Sequence, residues 1–193
     1  MFGLRKLLGL EGGGDNFDGY DEYVPSTLPG PGWFLSGHDV LVGDEHVQFH
    51  RTTRDIFEER ELYDVSFDYN MARLNLDTRH PNAGFRYAVE AGSPSVLRAE
   101  LTPKTEFCPQ TLTITKGAFR AWNGVSESHE YDLVRIRVDR MHYKADAIND
   151  ILRQQEESYL QFTGGPDSPS GEPSAETEGT SGAAEPTRSE PPF

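Results

Sequence analysis

The single cysteine offers this sequence its most specific chemistry. Cys108 follows the run LTPKTEF at 101–107 and is followed by Pro109. Proline suits the first position of a helix, where its missing N–H costs nothing, so the spacing predicts a helix that opens at Pro109 with Cys108 as its N-cap. A thiol there would face unpaired N–H groups and the positive end of the helix dipole, which favour the thiolate, a nucleophile and a soft-metal ligand. The plainer alternative is a small buried residue that starts a helix.

His142 is the second candidate, as a partner for that thiol or, alternatively, as a ring near a strand end that hydrogen-bonds the backbone. His46 and His50 are four apart, which is metal-ligand spacing on a helix. In the strand expected for them they would lie roughly 13 Å apart and could not share one ion. Gly12-Gly13-Gly14 lacks the Lys and Ser/Thr of a phosphate loop, which argues against nucleotide binding there. Cys108 and His142 supply two members of a nucleophilic triad, but no oxyanion-hole glycine pattern accompanies them, so the expectation is a protein that is not an enzyme.

The elements that must position these residues follow from periodicity. Residues 38–42 and 46–50 flank Gly43-Asp44-Glu45 and read as a hairpin. Val65, Phe67, Tyr69 and Met71 alternate as a strand, and residues 52–62 before them fit a short helix or a charged turn. Phe85, Tyr87 and Val89 alternate next, Gly92-Ser93-Pro94 marks a turn, and 95–101 returns as a second hairpin strand. A helix is expected over 108–123, with Asn123-Gly124 as its stop. In the strand 133–138, Val134, Ile136 and Val138 point inward and Arg135 and Arg137 outward. A last helix over 144–160 would bury Ala147, Ile148, Ile151, Leu152 and Tyr159. The fold class expected is α/β: a compact two-layer β-β-α-β-α sandwich with an added N-terminal β-rich element. Its domain spans 33–160, between a flexible segment at 1–32 and a disordered acidic tail at 161–193 that has too few apolar groups to fold.

Two separated motifs resemble those of a known family. Thr102-Pro103 followed by Cys108-Pro109 is similar to the T-P-x-x-x-x-C-P signature of the SufT/PaaD-like iron-sulfur assembly proteins. That family includes the targeting subunit of the eukaryotic cytosolic iron-sulfur machinery. His142, with Ile148 and Asn149 after it, is similar to the H-x-x-x-x-x-[IV]-N pattern that opens the last helix of that subunit. The resemblance covers residues 85–160. The family's acidic D-P-E-x-P stretch has only a poor counterpart at 77–81, and Gln154-Gln155-Glu156-Glu157 stands where relatives have D-K-E-R. The resemblance implies a maturation or metal-trafficking factor that acts through Cys108, with His142 as a further ligand and with iron-sulfur carrier and client proteins as partners. A resident cluster ordinarily takes four protein ligands, so one cysteine implies transient iron or cluster contact only. A protein-protein interaction module with the same fold and no metal chemistry is the alternative.

Composition bounds the partners. The chain has 193 residues and a formal charge of −14, with 14 Arg but only 4 Lys. Such a Lys-poor acidic surface suits a halophilic host, where at molar salt the Debye length is ~3 Å and surface carboxylates hardly interact at a distance. Nucleic acid is a poor partner for it. Arg135, Arg137, Arg140 and Lys144 form the basic cluster expected either to dock an acidic partner or to be solvated surface. No apolar run reaches the ~18 residues of a membrane span. Residues 1–10, with Phe2, Leu4, Leu7, Leu8 and Leu10 beside Arg5 and Lys6, fit a short amphipathic helix for weak membrane-surface or partner contact, or a frayed or self-packed terminus. One unpaired cysteine and no secretory signal pattern point to the cytoplasm. Pairing of two chains is left open.

Overall fold

The computed structural model describes residues 16–66 and 68–164. The expected amphipathic stretch at 1–10, the glycines at 12–14 and the tail from 165 onward lie outside them. The sheet has four strands in the order β1 (Asp39–Val40), β2 (Gly84–Glu90), β3 (Ser93–Thr102) and β4 (Leu133–Val138). β1, β2 and β3 are antiparallel neighbours, and β4 lies parallel to β3. Three helices, α1 (Gly43–Glu59), α2 (Thr111–Asn123) and α3 (Ala145–Thr163), complete the architecture. From β2 onward the order is the expected β-β-α-β-α, in an α/β sandwich.

Register explains what each face of the sheet carries. Phe85 pairs with Leu101 and Tyr87 with Ala99, and the parallel ladder adds Ile136 and Val138 to the same rows. On this face Phe57 and Trp122, from α1 and α2, pack at 5.1 Å between ring centroids, and Trp122 meets Phe85 edge-on at 5.8 Å. Aromatic pairs of this kind add to the area they bury.

The opposite face aligns Arg86, Glu100 and Arg137 in one row and Ala88, Arg98 and Arg135 in the next. Arg137 is therefore not solvated as expected. It is buried, with Nη2 donating to Glu156 of α3 at 2.8 Å, and Arg135 pairs with the same carboxylate at 2.9 Å. A strap through Trp33, Phe34 and Leu35 covers these rows. Glu100 holds it by accepting from the N–H of Gly32 at 2.7 Å and of Phe34 at 2.8 Å. A Cβ on Gly32 would run into the carboxylates of Glu100 and Asp139, so the strap needs glycine there.

The N-terminal part departs most from expectation. The hairpin over 38–50 is replaced by α1; of the strand expected over 65–71, Val65 and Ser66 lie in a turn, Phe67 is outside the described residues, and Met71 opens a 3-10 helix at Met71–Leu76. His46, Phe49, His50, Thr53, Ile56 and Phe57 form the buried face of α1 at helical spacing. Asp44 and Glu45 are its acidic first turn, favourable beside the positive end of the dipole. Leu28 is buried and Phe17 bridges to Asp77, so residues 16–32 pack on the domain that was expected to begin at 33. In α3 the buried residues are Ala145, Ile148, Asn149, Leu152 and Glu156, whereas Ala147 and Ile151 are exposed.

Asparagine side chains cap the outer edge of β4 and the stretch of β2 that β1 leaves unpaired. Asn123 accepts from the N–H of Val134 and donates to its carbonyl, at 2.8 and 2.9 Å, and Asn149 does the same at Val138, at 2.8 and 3.0 Å. Between them the Ile136 carbonyl accepts from Arg137. Asn75 treats Phe85 likewise at the β2 edge. Each amide mimics one residue of a neighbouring strand, so these edge positions offer no free backbone to a foreign strand.

Candidate functional site

The carboxyl ends of β3 and β4 feed two loops, 103–110 and 139–144, that lead into α2 and α3. Pro103 is buried just past Thr102, which pairs with Gly84 as the last residue of β3. In the second loop the Asp139 carboxylate accepts from the Met141 N–H at 2.8 Å, a side-chain turn that folds the chain back before α3.

His142 ties the loops together. Its Nε2 donates to the Cys108 carbonyl at 3.1 Å, and its Nδ1 accepts from the Lys144 N–H at 3.2 Å. The Tyr143 N–H donates to the Glu106 carbonyl at 3.0 Å. Cys108 and His142 are thus brought together as expected, but through the cysteine's backbone rather than its sulfur. Ligation by this imidazole would require giving up one of the two bonds.

The helix after Cys108 begins later than expected. Its N-cap is Gln110 and its first residue Thr111, so Cys108 is not the cap and exposed Pro109 is not the first helical residue. Thr111 explains the shift: its hydroxyl donates to the Cys108 carbonyl at 3.0 Å, which closes a turn ahead of the helix. The argument from a dipole acting on an N-cap thiol therefore lapses. Cys108 is a free, partly exposed thiol. Ile148 and Asn149, the other motif residues, are buried, Ile148 in the core and Asn149 sealing the β4 edge.

Around the thiol the loops display apolar surface. Phe107 is 62% exposed, Tyr143 57% and Met141 41%, and the Phe107 and Tyr143 rings lie 5.2 Å apart. Val65 is 84% exposed, between Asp64, whose carboxylate pairs with Lys104 at 2.9 Å, and Ser66, whose hydroxyl accepts from Gln110 at 3.1 Å. These are four of the seven large apolar side chains exposed among the described residues. Arg140 and Lys144 border them, Lys144 lying 5.1 Å from the Tyr143 ring and Arg140 4.7 Å from that of Trp33. Of the expected basic cluster, these two are exposed, while Arg135 and Arg137 are spent on Glu156. Sequence reasoning passed over Phe107, Met141 and Tyr143, whose only signal was large apolar groups in the polar strings KTEFCPQ and RMHYK.

His46 and His50 sit on one face of α1 with rings stacked at 5.6 Å, not 13 Å apart. His50 donates from Nε2 to the Ala72 carbonyl at 2.8 Å and meets the Tyr87 hydroxyl through Nδ1 at 2.9 Å, so both nitrogens are committed. Burial, then the neighbouring His50 and Arg86, holds His46 down to about 3. His50 is held at about 4, again by burial first. Both are neutral core residues. Among the described residues no three His, Cys, Asp or Glu side chains form a group able to hold a metal ion, so they do not fit a resident cluster. Nor is any helix there long and apolar enough to cross a membrane.

A family model described as Domain of unknown function (DUF7998) matches residues 15–165. No curated protein matches the chain. No solved structure matches it either.

Proposed function

We propose that this chain, which belongs to the DUF7998 family, is a non-enzymatic protein-protein interaction module that docks a partner protein on the loops at the carboxyl ends of β3 and β4. The observation that carries this reading is the exposed group Phe107, Met141 and Tyr143, held in place by the bond from His142 to the Cys108 carbonyl. Aromatic rings on a pinned backbone lose little entropy on binding, and aromatic residues and methionine are enriched at protein interfaces. Arg140 and Lys144 at the border suit carboxylates on the partner. With the outer edge of β4 capped by Asn123 and Asn149, strand addition beside the loops is closed, and the loops themselves offer the apolar surface.

The test is a photo-crosslinking amino acid at position 143, with position 158 on the exposed side of α3 as control. The expected result is one predominant crosslinked protein from position 143 alone, which then binds the purified wild-type chain and binds Phe107→Ala/Tyr143→Ala at least tenfold more weakly. Equal crosslinking from both positions, or equal affinity for both chains, contradicts the reading.

A second reading, transfer of iron or of a cluster as cargo, is favoured by the partly exposed thiol of Cys108 beside the apolar group. The remaining ligands would come from a carrier or client protein. Anaerobic reconstitution with iron and sulfide tests it: absorbance bands in wild type that Cys108→Ala lacks support it, and equal spectra sink it.

A further inference from the structure

We infer that the cavity between the first turns of α1, the β1–β2 ladder and the loop before β4 binds a linear aliphatic polyamine, a methylene chain that carries two or more ammonium groups.

The cavity measures about 410 Å³ and lies where β3 and β4 begin, at the end of the sheet opposite the docking loops. Three parts of the fold build it. From α1, Glu45 and Phe49 line it on one side of the helix at a spacing of four. From the ladder come the register partners Asp39 and Val89, with Leu41 just beyond, and from the loop Glu130 and Tyr131. A recess of this size is in the range of about 300–1,000 Å³ that small ligands occupy.

Charge selects the ligand. Asp39, Glu45 and Glu130 come from three separate elements, and no Lys or Arg lines the cavity with them. Among the described residues none of the three takes part in an ion pair. His129 does not supply the missing cation, because its ring is engaged on both sides: Nε2 donates to the Trp122 carbonyl at 3.0 Å and Nδ1 accepts from the Tyr131 N–H at 3.2 Å. Burial, then the carboxylates of Glu130 and Glu45, pushes the Tyr131 hydroxyl up to about 12, so the negative field reaches the cavity wall.

The apolar lining narrows the choice further. Phe49 lies 5.6 Å from the Tyr131 ring and 6.2 Å from that of His129, and those two are 6.1 Å apart, so three rings cluster beside the aliphatic Leu41 and Val89. A metal ion would leave these side chains unused, and among the described residues no three His, Cys, Asp or Glu group closely enough to hold one. A lysine side chain brings one ammonium to three carboxylates. A polyamine lays its methylenes on the rings and sends separated ammonium groups to separated carboxylates, through charge-assisted hydrogen bonds and cation–π contact. Salt screens such recessed pairs less than exposed ones.

The experiment is calorimetric titration of the full chain with spermidine at one salt concentration, wild type beside Glu45→Gln/Glu130→Gln. Magnesium chloride and the uncharged 1,8-octanediol serve as comparison titrants. Both substituted side chains are exposed, so the unfolding midpoint should not move. The expected result is saturable one-to-one binding of spermidine that the double variant weakens at least tenfold, with no saturable binding of the diol and at least tenfold weaker binding of magnesium. No saturation with spermidine, equal affinity in the variant, or magnesium binding as tightly as spermidine overturns the inference. If the midpoint of the double variant falls, Asp39→Asn, also at an exposed position, should weaken spermidine at least threefold, and an unchanged affinity there overturns it as well. The site is separate from the docking loops, so Phe107→Ala/Tyr143→Ala should bind spermidine as wild type does, whatever becomes of the docking reading.

Discussion

The His142 imidazole donates to the backbone carbonyl of Cys108 at 3.1 Å, and its other nitrogen accepts from the Lys144 N–H at 3.2 Å. Two loops from neighbouring strands are thereby clamped by a buried ring, and the Cys108 sulfur is left outside the arrangement.

His142→Ala should accordingly cost about 0.5–1.5 kcal/mol, the worth of the bond between the loops, because the Cys108 carbonyl keeps the Thr111 hydroxyl as a donor. Cys108→Ala keeps that carbonyl, so the two substitutions should add in the double variant to within about 0.5 kcal/mol. Urea unfolding of all four chains measures this. A coupling above 1 kcal/mol would mean that the sulfur and the imidazole form one site.

Asn149→Leu should be more damaging. The substitution strips the Val138 N–H and carbonyl of both partners, a loss of about 2–4 kcal/mol for two buried groups. Asn149→Asp retains the acceptor and loses the donor, so it should fall between the two. Denaturant midpoints give the order, and equal midpoints for Asn149→Leu and wild type would contradict it.

Acid should loosen the core through α1. Both His46 and His50 are held below the ordinary histidine value of 6.5, at about 3 and about 4. The unfolded chain thus takes up protons first as pH falls. Stability from this source is complete above pH 6.5 and declines below it, by about 2 kcal/mol per ring at pH 5. His46→Phe should flatten part of that decline between pH 7 and 5. An equally steep decline in this variant would assign the acid effect to other groups.

Gly32→Ala should destabilise by about 1–3 kcal/mol, because the new methyl displaces the Glu100 carboxylate from the N–H groups of Gly32 and Phe34. Thermal unfolding checks this, and a wild-type midpoint would show that the strap moves freely.

The strands β2, β3 and β4 were legible because Phe85, Tyr87 and Val89, like Val134, Ile136 and Val138, alternate on one face. The helix α1 was not. Gly43-Asp44-Glu45 serves equally as a hairpin turn and as an acidic first turn, and the buried positions 46, 50 and 53 carry polar side chains that hide the helical period. Arg137 read as surface because a lone strand does not reveal the strap over its second face or Glu156 on α3. The nearness of Cys108 and His142 was anticipated from strand order, but the atoms that meet were not, since a two-residue shift in the start of α2 decides them. Exposure of Phe107, Met141 and Tyr143 depends on which loops meet, which no local pattern records.

The docking account is tested most directly by the affinity of the crosslinked partner for Met141→Ser/Tyr143→Ser, measured calorimetrically beside the wild-type chain. Both side chains are exposed, so the unfolding midpoint should stay within error, while the dissociation constant should rise about 30-fold, the ~2 kcal/mol typical of a dominant interface residue. A constant within twofold of wild type would contradict the account.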